Sequence, residues 1–253
     1  YDIESKVKAD ATLLEIFNVL ISKASGTLLG SVHNYKNFYE EDYEAKLVSN
    51  NLTMSSDYMP LLLTNGDLLV NYKKKKIILN KLKAQLNSGT LLVNGEVDIS
   101  RVIPDINVRY EFKNAGIPLL KKSSITFSGK GSFVGKTVPY TLGGEFQIQK
   151  CNIVNEITDF TGGENIVKTE IDFLPQDRSN ALNQYLNLNL NINTIEPIKI
   201  TNSMADLGFT GNILVSGGER DPRLAGKISL APTKNQIFFK NNVFELTKGN
   251  IFF

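Results

Sequence analysis

The stretch from Tyr185 to Asn193 reads Y-L-N-L-N-L-N-I-N, so apolar and amide side chains alternate without interruption. Side chains of a β-strand point alternately to the two faces of a sheet, whereas a helix would scatter the four apolar residues around its circumference. The stretch therefore predicts a strand with one apolar face and one polar face. What covers the apolar face then decides the function.

The same alternation recurs along most of the chain. It is clear in residues 82–86, 90–99, 106–113 and 167–173, and about a dozen strands are expected in total. Residues 175–182 are polar and predict a crossing loop or a short turn of helix. Turns are expected at Asn65-Gly66-Asp67, Asn87-Ser88-Gly89, Gly143-Gly144, Gly162-Gly163, Gly217-Gly218 and Asp221-Pro222.

One segment near the N-terminus favours a helix. From about Asp10 to Ser25, apolar residues follow the i, i+3, i+4, i+7 spacing of an amphipathic helix. Asp10 is a suitable N-cap and Gly26 a suitable stop. We therefore predict an all-β chain with one short helix near its N-terminus.

Length and composition restrict the possible classes of protein. The 253 residues are 42% hydrophobic, which is enough apolar material for an ordered core. The net charge of +2 gives no reason to expect a nucleic-acid partner, which would favour a strongly basic face. We interpret residues 1–253 as one continuous segment of a longer protein, monomeric, with weak internal repeats near 26–120, 121–205 and 206–253.

Signatures of catalysis and metal binding are not found in the sequence. It contains a single histidine, His33, interpreted as a surface residue, and no H-E-x-x-H, G-x-S-x-G or C-x-x-C motif. The lone Cys151 cannot form an internal disulfide and is interpreted as an inert thiol. No catalytic residue, metal ligand or cofactor is predicted, and a hydrolase acting on lipid or glycan is the weakest hypothesis.

Two local patterns invite a binding function. Gly129 to Thr137 reads G-K-G-S-F-V-G-K-T, but a phosphate-binding loop needs Gly at Lys130 and a helix after Thr137, where the sequence predicts a strand. No nucleotide is therefore expected. The four lysines from Lys73 to Lys76 are interpreted as the solvated end of a hairpin, with contact to anionic lipid headgroups as the alternative.

The apolar faces of so many strands need a cover. Two sheets can form a sandwich, one sheet can close into a barrel, or helices can pack over the sheet, but one helix is too few for the last. Glycines among the inward positions, such as Gly129 and Gly131, thin the filling of the core. A curved sheet with an apolar groove that holds acyl chains is therefore the hypothesis set against a sandwich, because each buried methylene stabilises by roughly 0.8 kcal/mol.

Residues on the apolar side of the predicted strands are the candidate lining of this groove. They are Leu91, Val93, Val97, Ile99, Ile106, Val108, Phe112, Phe127, Phe146, Ile148, Ile171, Phe173, Leu186, Leu188, Leu190, Ile192, Phe209, Ile213, Val215, Ile228, Leu230 and Phe239.

The order of motifs in the last third of the chain resembles the C-terminal region of the TamB family. Alternating strands over 186–192 precede a Gly-containing strand over 211–215 and Asp221-Pro222. They are followed by Leu224-Ala225-Gly226, a strand over 228–230, and aromatic-rich segments over 237–239, 244–246 and 249–252. Residues 82–99 and 125–153 are similar to the repeats that precede this region in the family.

The resemblance implies an elongated, folded-over, mostly antiparallel sheet called a β-taco, with a hydrophobic groove. It further implies an AsmA-like, bridge-like lipid carrier of the periplasm, anchored in the inner membrane by a segment outside this chain. Phospholipids would be the cargo and a BamA-type outer-membrane barrel, TamA, the partner of the full-length protein. The alternative is a structural or chaperone module that offers sheet edges to outer-membrane proteins during their assembly.

Overall fold

The fold is described from a computed structural model that covers residues 2–17, 22–36, 41–56, 62–120, 123–154 and 185–253. Within these ranges the chain forms strands and one short 3₁₀ helix, Ala11–Phe17. The strands are β1 (Asp2–Asp10), β2 (Lys23–Ser25), β3 (Thr27–Lys36), β4 (Glu41–Ser55), β5 (Leu62–Lys73), β6 (Lys76–Leu86), β7 (Gly89–Asp98), β8 (Asp105–Leu120), β9 (Ser123–Gly135), β10 (Tyr140–Ile153), β11 (Leu186–Thr194), β12 (Ile198–Thr201), β13 (Ala205–Gly218), β14 (Asp221–Leu230), β15 (Gln236–Phe239), β16 (Asn242–Glu245) and β17 (Asn250–Phe252).

All these strands belong to one large, mostly antiparallel sheet, which confirms the predicted fold class. From β3 to β10 each strand pairs with the next one in sequence, and β1 pairs with β3. The ladder continues from β11 to β13 and β14. Short strands extend it at its ends, since β2 pairs with β4, β12 with β13, β15 with β13 and β16, and β17 with β14.

The sheet changes from antiparallel to parallel pairing at one place in the described residues. There β10 pairs parallel with β11 and with β12. A parallel pair needs a long connection, and 32 residues separate the end of β10 from the start of β11. The predicted strand over 167–173 and the predicted loop over 175–182 both fall in this connection, outside the described residues.

Bulges keep the apolar residues on one face where the period-two pattern breaks. Three-residue steps separate Leu79 from Leu82 in β6, Phe112 from Ala115 in β8, and Ile148 from Cys151 in β10. The register shifts at each of these steps, because one strand carries an extra residue. If the bulge did not absorb the extra residue, every side chain beyond it would point to the opposite face.

Two of the predicted turns are wrong, because their residues lie inside strands. Asn65-Gly66-Asp67 lies inside β5 at a register shift, and Gly143-Gly144 lies inside β10. Asn87-Ser88 does form a turn, and a turn at Glu219-Arg220 separates the Gly217-Gly218 and Asp221-Pro222 pairs. Gly162-Gly163 is outside the described residues.

The lysine cluster and the glycine-rich stretch from Gly129 to Thr137 have the local structures that the sequence predicted. The lysine cluster is a hairpin end, since β5 ends at Lys73, β6 begins at Lys76, and the two lysines between them have left-handed φ angles of 49° and 59°. After Thr137 the next element is strand β10 and not a helix, which removes the phosphate-loop interpretation.

The N-terminal helix is shorter than predicted. It is a 3₁₀ helix over Ala11–Phe17, and Lys23–Ser25 is a strand, so the expectation of a helix reaching Ser25 is wrong. Asp10 does cap it, because its Oδ1 accepts a hydrogen bond of 2.9 Å from the Thr12 amide, which lowers the pKa of the carboxyl. Pairing of β2 with β4 competes with the helical pattern at its C-terminal end.

Deleting Gln149 tests the role of the β10 bulge. The deletion removes the extra residue and leaves Ile148 two positions from Cys151, so the apolar residues stay on one face and no bulge is needed. We expect the free energy of unfolding in urea to change by less than about 1 kcal/mol.

Deleting Asn189 is the comparison, because β11 pairs without a register shift and has no extra residue to lose. Either Leu190 and Ile192 turn to the polar face or the pairing slips by one residue, so the free energy of unfolding should fall by about 2 kcal/mol or more, the value of re-exposing one to two apolar side chains. Equal losses in both variants would contradict the role of the bulge.

Candidate functional site

Strand pairing puts the apolar side chains of β4 to β14 on one continuous face. Residues directly opposite each other in a ladder point to the same face of the sheet. One row of opposed residues crosses nine strands in succession: Leu47, Val70, Leu79, Gly95, Val108, Phe133, Leu142, Leu188 and Gly217. We call the side of β4 to β14 that carries this row the apolar face.

The described candidate residues of β7 to β14 share this face. Leu91 stands opposite Phe112, Phe146 opposite Ile192, and Leu190 opposite Val215. Ile99 follows directly after β7 and Phe239 ends β15, and these two are the most exposed of the set, at 40% and 55%. Ile171 and Phe173 lie outside the described residues.

Charge is confined to the other face. From Tyr43 of β4 to the end of β14, the described residues that share the register of the row above put no charged side chain on the apolar face. The opposite, polar face has rows such as Glu111, Lys130 and Glu145 on successive strands. The sheet is therefore amphipathic from β4 to β14.

The apolar face is half-buried. Among its predicted and described members, Leu91 alone is buried, with 8% of its surface exposed, and most others are intermediate. A closed sandwich would bury such large side chains in a core that joins two sheets. These exposures instead fit a single sheet whose apolar side remains accessible.

The two buried clusters are local. One joins Ala11 of the 3₁₀ helix to Ala24, Leu28 and Leu52 of β2 to β4. The other joins Leu86, Leu91 and Ala115, packed against residues of β5 and β7 to β9. Each cluster contains only neighbouring elements of the sheet, so neither connects distant parts of it.

Four aromatic rings from β8, β9 and β10 pack together on the apolar face. The rings are those of Tyr110, Phe112, Phe127 and Phe146, and five of their six pairs have centroids 5.5 to 6.3 Å apart. The Tyr110 hydroxyl donates a hydrogen bond of 3.0 Å to the carbonyl of Gly143. Burial raises the pKa of the Tyr110 phenol, as expected for a hydroxyl on an apolar surface.

Glycines beneath these rings do not thin the filling, as the sequence had suggested. A Cβ built on Gly129 would lie 2.5 Å from Phe146 Cδ1, and one on Gly131 would lie 2.5 Å from Tyr110 Oη. The rings therefore lie over the glycines and occupy the space that side chains would have taken. Gly95 has another role, because it has a φ of 153° and approaches the backbone of Asn107 closely.

Several apolar-face residues are missing from the sequence-based set. Tyr110, Phe133 and Leu142 lie in the middle of the face, and Cys151 is 4% exposed beside Ile125 and Ile198. Burial also raises the pKa of the Cys151 thiol. The alternation in β8 includes Tyr110, so that signal was available, but the bulge before Cys151 hid the parity of this residue.

The polar face has a cavity of its own. It measures about 870 Å³ and lies where the small residues Ser132 and Gly143 sit between Arg109 and Asn189. Its lining combines amides with charges of both signs, and these groups do not converge on one chemistry. The apolar face is therefore the better candidate site.

Two kinds of site are not found in the described ranges. They contain no helix long and apolar enough to cross a membrane. They also contain no group of three or more histidine, cysteine, aspartate or glutamate side chains placed to hold a metal ion.

The fold and site define a class of protein: a single-sheet, all-β chain with a wide, accessible apolar face. Comparison with protein families finds a match to the TamB C-terminal domain over residues 80–253. The chain therefore belongs to the TamB family, which confirms the resemblance seen in the sequence. TamB proteins span the periplasm, and membership suggests a role in the translocation and assembly module, in a family not known for enzymes. No curated protein and no solved structure matches the chain.

Alanine substitutions at two neighbouring glycines test the packing of the rings over the sheet. Gly131→Ala puts a Cβ 2.5 Å from Tyr110 Oη and closer still to the Gly143 carbonyl oxygen, so the ring must move. We expect the free energy of unfolding to fall by about 1 to 3 kcal/mol, the usual cost of overpacking.

Gly143→Ala is the matched control, since its Cβ would meet only the Asn189 carbonyl oxygen at 3.6 Å. This variant should be within about 0.5 kcal/mol of the parent in urea unfolding. The interpretation is wrong if the two variants lose equal stability.

Proposed function

We propose that the apolar face holds the acyl chains of phospholipids and conducts them between the inner and outer membranes without catalysis. The observation that carries this proposal is the combination of width and exposure. The face is free of charge from Tyr43 of β4 through the described residues of β14, and most of its large side chains are partly exposed. Covering apolar surface so that it no longer contacts water stabilises by about 25 cal/mol for each Å², which favours an apolar occupant.

Acyl chains suit this surface better than a directional ligand does. The face offers few polar groups, the Tyr110 hydroxyl is already bonded to Gly143, and the rings and aliphatic side chains present no fixed pattern of donors. Burying about a dozen methylenes would contribute on the order of 10 kcal/mol without demanding one position along the sheet. A chain can therefore bind at many equivalent positions, as passage along a groove requires.

Membership of the TamB family supports the proposed location and the proposed partner of the full-length protein. A TamB segment of this kind would work in the periplasm, within a protein anchored in the inner membrane by a segment outside this chain. The outer-membrane barrel TamA would be the partner of the full-length protein. The groove-lining residues predicted from sequence would form the wall, together with Tyr110, Phe133 and Leu142.

A structural or chaperone role is the second candidate, and one observation favours it. Residues 221–225 of β14 pair with β13 on one side, while β17 pairs with β14 only at Lys227 to Ser229. Phe252, which stands opposite Lys227, is 70% exposed. An edge of this kind can accept a strand from another protein.

Polarity of the face separates the two candidates. Leu190→Asp places a charge in the middle of the apolar face, opposite Val215. Because an acyl chain passing this point would contact an ionised carboxylate, we expect transfer of fluorescent phospholipid between vesicles to slow about tenfold or more. Circular dichroism should still show a β-sheet.

Asn189→Asp is the control, because it introduces the same group one residue away on the polar face. It should transfer lipid at the rate of the parent chain. Normal lipid transfer by a folded Leu190→Asp variant would refute the conduit. The chaperone role would be favoured if a proline introduced within residues 221–225 impaired the assembly of outer-membrane proteins while lipid transfer stayed normal.

A further inference from the structure

Three successive hairpin connections lie along one edge of the apolar face. They are the β5–β6 turn at residues 74–75, the β7–β8 connection at 99–104 and the β9–β10 connection at 136–139. The pairings of Lys76 with Asp98 and of Ile106 with Gly135 put all three at the same ends of their strands. We call these three connections the cationic rim.

The rim carries basic residues and no acidic ones. Its four charged residues, Lys74, Lys75, Arg101 and Lys136, are all exposed. Acidic groups adjoin the rim at the strand ends. One of them, Asp98, accepts a hydrogen bond from the Ser100 amide, and its Oδ2 lies 3.9 Å from Lys76 Nζ. Hydrogen bonding to Ser100 and the nearby charges of Lys76 and Arg101 lower the pKa of Asp98.

Hydrogen bonds tie the rim together. The Ile99 amide donates to the carbonyl of Lys75 at 2.8 Å, which joins the first connection to the second. The Tyr140 hydroxyl donates to the carbonyl of Pro104 at 2.8 Å, which joins the second to the third. Two strands separate successive connections, so their basic residues recur about every 10 Å along the edge.

Apolar groups accompany the basic ones. Val102 is fully exposed, and Ile103 and Val138 are 44% and 38% exposed. From the rim inward the surface passes from basic side chains, through exposed aliphatic ones, to the apolar face that begins at Ile106 and Tyr140. This sequence of chemistries matches a phospholipid from its phosphate to its acyl chains.

We propose that the cationic rim binds the phosphate groups of phospholipids whose acyl chains lie on the apolar face. The inference rests on the proposed lipid-conducting function and adds the headgroup class to it. Each bound lipid would be held by one rim connection, and its neighbour by the next. A lipid with the same acyl chains and no phosphate would lose this contact.

Binding of two lipids that differ in the phosphate tests the proposal. The ligands are short-chain phosphatidylglycerol and the diacylglycerol with identical chains, each below its aggregation concentration, with the purified chain. The rim variant combines Lys75→Glu, Arg101→Glu and Lys136→Glu. The control combines Lys83→Glu, Lys150→Glu and Lys199→Glu, which changes the net charge equally at exposed positions on β6, β10 and β12.

We expect the parent chain and the control to bind phosphatidylglycerol at least tenfold more tightly than diacylglycerol. The rim variant should lose this preference by at least tenfold, since each basic residue near an anionic headgroup contributes about a factor of five. Its affinity for diacylglycerol should be unchanged, which also reports that the apolar face is intact.

Other outcomes overturn the proposal in distinguishable ways. Equal phosphatidylglycerol binding by the rim and control variants would remove the rim from headgroup recognition and leave the conduit standing. If neither ligand binds the parent chain, the conduit fails and the rim site with it. If the rim variant keeps its binding to the single lipid but loses binding to vesicles containing phosphatidylglycerol, the rim is a membrane-docking surface instead.

Discussion

The fold depends on keeping every strand in register so that one face remains apolar. Side-chain direction alternates with a period of two, and one uncorrected extra residue would turn the rest of a strand over. This chain contains such steps at Leu79 to Leu82, Phe112 to Ala115 and Ile148 to Cys151, and a bulge absorbs each of them. The bulges let long strands remain amphipathic, so the sheet can present a charge-free face many strands wide.

Part of the apolar face is formed by aromatic rings that lie over glycines of the neighbouring strand. Gly129 and Gly131 supply no side chain, and the rings of Phe146 and Tyr110 from adjacent strands cover them. Cohesion among the rings stabilises the sheet locally, as the hydrogen bond from Tyr110 to Gly143 also does. A single-layer sheet has no opposite sheet to pack against, so contacts of this kind between neighbouring strands carry much of its stability.

The fold class could be predicted from the sequence because alternation such as that from Tyr185 to Asn193 has one structural meaning. Glycine and asparagine pairs were less informative, since the same residues form turns, as at Asn87-Ser88, and bulges or strand interiors, as at Asn65-Gly66 and Gly143-Gly144. Local signals cannot separate these, because the difference lies in the partner strand. The prediction of a helix reaching Ser25 was wrong for a similar reason, because Lys23–Ser25 forms strand β2 and pairs with β4.

The candidate site, too, could be predicted only in part, because strand pairing is not visible in the local sequence. Alternation correctly grouped the described apolar residues on one face, but pairing was needed to show that the faces of different strands join into one surface. The sequence singled out the lysines at 73–76 but not the cationic rim as a whole, since Lys75, Arg101 and Lys136 are far apart in the chain and only the register aligns them.

The central claim is that lipid contacts the apolar face and not the polar one, and site-specific photocrosslinking tests it most directly. A photoreactive amino acid would replace Leu190 in one chain and Asn189 in another, and mass spectrometry after irradiation in cells would identify the adducts. The account predicts phospholipid adducts at residue 190 and few at residue 189. Equal lipid adducts at the two positions, or protein adducts alone at residue 190, would contradict it.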